Sequence, residues 1–201
     1  MEDIKPTTLE RIHIAAKREF LEKGFLGASL RNIVKCAGVT TGAFYGYYDS
    51  KEKLFDALVS EQYEHVMDMY MSTQNSFKEL EAEKQQANMG KIGGECLEQM
   101  IDYMYANEDE FRLILMCSKG TRYENMVHEM SEVEVQATHD FVEVMRENGI
   151  EVREIDPKLE HVLVSGMFTA FFELLIHKND IGEAKTYLKQ LREFYTAGWM
   201  R

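Results

Sequence analysis

The chain has 201 residues, 45% hydrophobic and 29% charged, a balance that suits one or two folded domains and excludes a disordered polymer. Its only prolines are Pro6 and Pro157, where average usage would give roughly ten, so the residues between them lack the strongest helix breaker and an all-α fold is expected, not a sandwich or barrel. The net charge of −12 is uneven: residues 1–56 carry nine Lys/Arg against eight Asp/Glu, while 57–201 carry fourteen against twenty-seven.

Thr7-Thr8-Leu9-Glu10 reads as a capping box, and Leu9, Ile12, Ala16 and Phe20 recur at helical spacing, with Gly24 as the stop. A second helix starts at a Ser29 cap, turns Leu30, Ile33, Val34 and Ala37 inward, and ends at Gly38, where the turn needs a residue tolerant of positive φ. Thr40 or Thr41 caps a short third helix from Gly42 to about Tyr48. Asp49 or Ser50 caps a fourth, with Asp49-x-x-Glu52 as a second box and a stripe of Leu54, Phe55, Leu58, Val59, Gln62, Tyr63 and Val66. Further helices are predicted over about 51–74, 87–106, 108–118, 121–148, 156–178 and 183–199. Asp156-Pro157 marks a start, Asn148-Gly149 and Asn179-Asp180 mark stops, and the polar stretch 75–90 reads as a loop or a frayed end.

No uninterrupted apolar run reaches the roughly 18 residues that span a bilayer, and the acidic start Glu2-Asp3 predicts no secretory signal. Cys36, Cys96 and Cys117 are odd in number and lack metal-ligand spacing, which fits a reducing cytoplasm. No G-x-S-x-G, H-E-x-x-H, P-loop or C-x-x-C is present, so the sequence predicts no enzyme and no cofactor. His128, Glu132 and His139 share a helical stripe that could line a metal or cationic ligand, although surface or satisfied-core roles are the commoner case for such residues.

Residues 29–48, SLRNIVKCAGVTTGAFYGYY, form two short helices around a Gly-containing turn, the pattern of a helix-turn-helix unit. Ile33, Val34, Ala37, Val39 and Phe44 account for its inside face. Arg31, Thr40, Thr41, Ala43, Tyr45, Tyr47 and Lys51 are left to face outward, a set rich in hydroxyls and cations. Residues 9–59 resemble the DNA-binding domain of the TetR family of bacterial transcriptional regulators. The resemblance is carried by Phe20…Gly24-Phe25, Ser29-Leu30-Arg31-Asn32-Ile33, Ala37-Gly38-Val39-Thr40-Thr41-Gly42-Ala43-Phe44-Tyr45 and Tyr47-Tyr48-Asp49-Ser50-Lys51-Glu52-Lys53-Leu54. Gly46, which offers no side chain, and Tyr48, where the family usually has Phe, depart from it.

The resemblance implies an amino-terminal three-helix helix-turn-helix domain, 1–53, joined by a long helix to a larger helical ligand-binding and dimerisation domain, 54–201. It implies DNA contacts at Ser29, Arg31, Thr40, Thr41, Ala43, Tyr45, Tyr47 and Lys51, with Tyr45 and Lys51 on phosphates. Met100, Tyr103, Met104, Phe111, Met116, Tyr123, Met126, Phe168 and Phe172 are the candidate walls of an apolar pocket, although such stripes are core in most proteins. The acidic balance favours a neutral or cationic effector. Gly166, Ala170, Leu174, Leu188, Leu191, Tyr195 and Trp199 are candidates for a homodimer interface on the last two helices. The expected function is a cytoplasmic, nucleoid-associated repressor released from a palindromic operator by a small molecule. The alternative is a helical ligand-binding or scaffolding protein without DNA binding.

Overall fold

The structure is a computed structural model that describes residues 5–152, 155–177 and 180–199, with the side chains of 196–199 excepted. Among these residues there are ten α-helices, one π-helical turn and no strand. The helices are α1 (Thr8–Gly27), α2 (Leu30–Ala37), α3 (Thr41–Tyr45), α4 (Lys51–Lys78), α5 (Ala82–Asn88), α6 (Lys91–Ala106), α7 (Glu108–Arg112), α8 (Met126–Glu147), α9 (Pro157–Ile176) and α10 (Ile181–Trp199), with the π-helical turn at Leu113–Cys117. The protein is all-α, with an amino-terminal helix-turn-helix head.

Two compact units share the chain. One comprises Met1–Glu64 with Asn107–Glu124, and the other His65–Ala106 with Asn125–Arg201. This division falls later than the 53/54 boundary expected from sequence, and the head also takes in a segment from the middle of the chain. α4 is one continuous helix whose first half lies in the head and whose second half lies in the bundle.

In the head, Thr7 and Glu10 form the expected reciprocal capping box, at 3.2 and 2.7 Å. The helical backbone breaks at Gly24, where φ is +66°. Ser29 caps α2, and Gly38 ends it in the left-handed conformation at φ +63°. Thr40 caps α3 through the Ala43 amide. Of the two residues expected to cap α4, Asp49 or Ser50, it is Ser50 that accepts from the Lys53 amide, at 3.2 Å. The core joins Ile12, Ala16, Phe20, Ile33, Phe44, Leu54 and Phe55, all fully buried. The rings of Phe20, Phe25 and Phe55 meet with centroids 5.1–6.0 Å apart. Phe111, Leu113 and Ile114, from α7 and the π-helical turn, complete this core, and the turn packs on α1.

In the bundle, α8 packs on α9, and α10 packs on both α9 and α6. Stretch 75–90 is not the loop expected: α4 runs to Lys78 and α5 follows at Ala82. Buried Gln85 makes this possible, because its amide donates to the Lys78 and Leu80 carbonyls, at 3.2 and 2.8 Å, which the end of α4 leaves without partners. The helix expected over 87–106 starts at Lys91, after Gly90 takes φ +72°. The helix expected from 121 starts at Met126, because Ser118–Thr121 hydrogen bonds fold the preceding residues into turns. Asp156 caps α9, with Pro157 at its first position. Asn179 lies outside the described residues, but Asp180 accepts from the Gly182 and Glu183 amides to cap α10.

Candidate functional site

The outward face of the helix-turn-helix unit is built by elimination. Ile33, Val34, Ala37 and Phe44 point into the head core, while Arg31 on α2, Thr41, Ala43 and Tyr45 on α3, and Tyr47 just beyond it are exposed. Tyr45 and Tyr47 are 52% and 49% exposed, far more than a phenol with only a packing role needs. Both are thereby free to present a hydroxyl to a phosphate or a base edge.

Three of the expected contact residues also have local duties. Ser29 and Thr40 are exposed, yet their hydroxyls accept from Asn32 N at 3.4 Å and Ala43 N at 3.1 Å. Each hydroxyl still keeps its own proton to donate. Lys51 is half-buried, and its ammonium donates to the Phe25 and Ala28 carbonyls at 2.6 and 3.1 Å, 4.5 Å above the Phe25 ring. It satisfies the orphan carbonyls after the α1 kink, which leaves one of its three donors for any phosphate. We therefore expect Lys51→Ala to lower the stability of the head by about 1.5–3 kcal/mol, the worth of hydrogen bonds to a charged group, before any effect on ligands is counted. Urea unfolding of the free protein measures this.

α3 is shorter than predicted. It ends at Tyr45, and Gly46 is its cap, not an interior residue. A side chain there would sit 3.3 Å from the Ala43 carbonyl, which gives Gly46 a packing reason. The Tyr48 hydroxyl meets His13 Nε2 at 2.5 Å.

The angle between α1 and α2 is held by Glu19, which sequence reading missed because it looks like one more surface carboxylate. It is buried and accepts from the Ser29 amide at 3.1 Å and the Asn32 side-chain amide at 2.5 Å. The Ser29 backbone hydrogen bond, chiefly, holds its carboxyl below the usual range. Glu19→Ala strips both donors of their acceptor and should cost about 1–3 kcal/mol at neutral pH. A depressed carboxyl stabilises the fold above its unfolded-state pKa and loses that contribution as pH falls through the folded one. The gap between wild type and variant should therefore shrink below about pH 4, as urea midpoints at neutral and acid pH would show.

The nine expected pocket residues are divided between the two units. Phe111 and Tyr123 are buried in the head, and Met116, also in that unit, is 53% exposed. The Tyr123 hydroxyl donates to Asp56 at 2.5 Å and accepts from Arg122 at 2.8 Å. Burial, with the Asp56 hydrogen bond, pushes its pKa up to about 12. Met100, Met104, Met126, Phe168 and Phe172 are buried in the core of the other unit. There the half-buried Tyr103 stacks on His65 at 4.0 Å. None of the nine lines the cleft of about 400 Å³ between α4, α5 and α8, whose walls include Gln74, Phe77, Gln85, Val133, Gln136 and Phe141. Beside it lies a polar trio: buried Tyr70 donates to Glu134, and Gln74 donates to Glu134 at 2.7 Å. Desolvation raises both the Tyr70 and Glu134 pKa values.

Of the interface candidates, Leu188 is fully buried within its own chain, which removes it from an exposed patch. Gly166, Ala170, Leu174, Leu191 and Tyr195 are half-buried, and the Trp199 side chain lies outside the described residues. The large apolar residues that do stand out on these helices, among the described side chains, are Leu159, Val162, Ile181, Tyr187 and Phe194, at 51%, 63%, 41%, 42% and 75% exposure.

Residues 12–58 match the family described as "Bacterial regulatory proteins, tetR family". The head is thus similar to the DNA-binding domain of TetR-family regulators. A curated relative, the uncharacterised HTH-type transcriptional regulator YdgC of Bacillus subtilis, is 40% identical over 57 residues, 28% of this chain and 29% of that protein. The match thus spans under a third of the relative's length. Three solved structures share the fold of the whole chain. A transcriptional regulator from Aquifex aeolicus VF5 has a TM-score of 0.55 at 21% identity, covering 95% of this chain and 99% of its own. A TetR-like regulator from Rhodococcus sp. RHA1 has 0.56 at 15%, covering 96% and 98%. The fatty acid degradation regulator FadR from Bacillus halodurans has 0.51 at 18%, covering 94% of each. The likeness to the TetR family in sequence is confined to the head, and the likeness of the remainder is one of fold.

Proposed function

We propose that this protein is a DNA-binding transcriptional regulator of the TetR family, a homodimeric repressor that a small molecule releases from a palindromic operator. The observation that carries this reading is the outward side of the helix-turn-helix unit, where Arg31, Thr41, Ala43, Tyr45 and Tyr47 are exposed while Ile33, Val34, Ala37 and Phe44 pack into the head core. Such a face offers donors to phosphates and base edges but has few cations, so one head binds weakly and two related by a two-fold axis are needed for specific affinity. The cleft beside Gln74 and Gln136 suits the effector, since its amides and apolar walls match a neutral or cationic molecule of modest size.

α4 runs unbroken from Lys51 in the head to Lys78 beside this cleft, which makes it the element through which an effector would act. A coupling of about 3 kcal/mol lowers operator affinity roughly 150-fold, and operator must weaken effector binding by the same factor. Selection of bound fragments from genomic DNA tests the reading. A recovered palindrome that binds in a saturable, salt-sensitive way supports it, and binding no better than random duplex refutes it.

A further inference from the structure

α8 and α9 together bring His128, Glu132 and His161 to one place on the bundle. Sequence spacing pairs His128 with Glu132, one helical turn apart, and points to His139 as the third member. In the structure His139 turns away to Glu160, at 2.7 Å. Its place is taken by His161, from the first turns of α9. Glu132 Oε1 lies 3.3 Å from His161 Nδ1 and 3.9 Å from His128 Nδ1. One ligand atom from each of the three residues falls within 4.8 Å of the others.

We propose that His128, Glu132 and His161 form a binding site for a divalent transition-metal ion of the zinc, cobalt or nickel kind. Two imidazoles and one carboxylate are the donor set that suits such ions, with water completing the coordination. Bonds of about 2.0–2.2 Å to a tetrahedral ion place ligand atoms about 3.4 Å apart. The two His–Glu separations are already near this, and the imidazoles close the remaining gap by side-chain rotation. That motion is open to them, because all three side chains keep 43–62% of their surface exposed. The carboxylate between two rings also supplies the negative charge that holds a dication. The site ties α8 to α9, so metal binding stabilises the packing of these two helices.

The chain holds its own control in His177 and Glu173, which are also one turn apart and 2.9 Å from each other. This pair has the same donors as His128 and Glu132 but is not in the convergent group. Calorimetric titration of the full-length protein with Co²⁺ and Zn²⁺, repeated on a Cys36→Ser background to remove the exposed thiol, tests the proposal. Wild type should bind one equivalent with micromolar affinity and unfold at a higher temperature when loaded. His128→Gln and His161→Gln should each weaken binding by more than the roughly tenfold that losing an outer-shell partner costs, whereas His177→Gln should leave it unchanged. Circular dichroism confirms that these surface variants fold. Absence of a one-equivalent site, binding indifferent to both His128→Gln and His161→Gln, or binding lost with Cys36 would each overturn the assignment.

Discussion

Replacing Arg31 by alanine is expected to weaken operator binding by about 1–3 kcal/mol per reading head, the worth of one good bidentate contact. In a two-headed complex the loss counts twice, about 2–6 kcal/mol, or roughly 30-fold to more than 10⁴-fold in affinity. Arg31 is exposed on α2, so its truncation leaves the head core of Ile33, Val34 and Phe44 untouched and the effect reads recognition, not folding. Salt titration separates two versions of the contact. If Arg31 reads a base, the variant loses its preference for operator over scrambled duplex while the salt slope stays the same. If it holds a phosphate, all duplexes weaken alike and the slope falls by about one unit per head. Tyr45→Phe removes only a hydroxyl and should weaken every sequence equally without changing the slope. A mobility-shift series in which Arg31→Ala and Tyr45→Phe both match wild type would remove the assignment of this face.

The parts of the fold that could be read from the sequence are those written in local chemistry. Thr7, Ser29, Thr40 and Asp156 all cap the helices assigned to them, because the reach of a capping side chain extends only two or three residues. Gly38 ends α2 for the same kind of reason, since positive φ is a single-residue property. What was not legible depends on side chains meeting across large separations. Gln85 extends helical structure through a stretch whose composition reads as loop, by bonding carbonyls five and seven residues back. Glu19 is indistinguishable from a solvated carboxylate until α2 is folded against it. The pocket candidates divide between the two units for a topological reason. Periodicity marks Phe111 and Tyr123 as buried, and they are, but it carries no record that residues 107–124 belong with the head.

The same limit governs the interface residues, and it shapes the second large effect. α9 has a mean hydropathy of 1.6 over an 18-residue window, enough by composition to cross a membrane, yet only 33% of that window is buried within the chain. Its inner side, with Val164, Phe168, Phe171, Phe172 and Leu175, is used by the bundle core. The surplus apolar surface is what a second copy would cover. Gly166 lies under the Tyr195 hydroxyl, 3.1 Å from where a side chain would begin, so the middle of α9 runs beside the later part of α10. Among the described residues, Val162 and Phe194 are the most exposed apolar side chains of the two helices, at 63% and 75%.

Phe194→Glu and Val162→Glu are accordingly expected to split the dimer. Two-fold symmetry places each substitution in the interface twice, and each copy forfeits about 1.5–3 kcal/mol of apolar burial. The sum of about 3–6 kcal/mol raises the dimer dissociation constant roughly 10²- to 10⁴-fold. Desolvating the new carboxylates adds to it. Leu188→Ala should behave differently: its side chain is fully buried within one chain, so it should cost about 2–5 kcal/mol of subunit stability without acting at the interface. Sedimentation velocity at micromolar concentration distinguishes the two classes. A wild-type protein that is dimeric, with Phe194→Glu monomeric and as helical as wild type, is the expected result. The monomer should also bind a half-site as well as the parent does while losing the advantage of the full palindrome. A dimer unmoved by both charged substitutions would place the interface elsewhere on the chain.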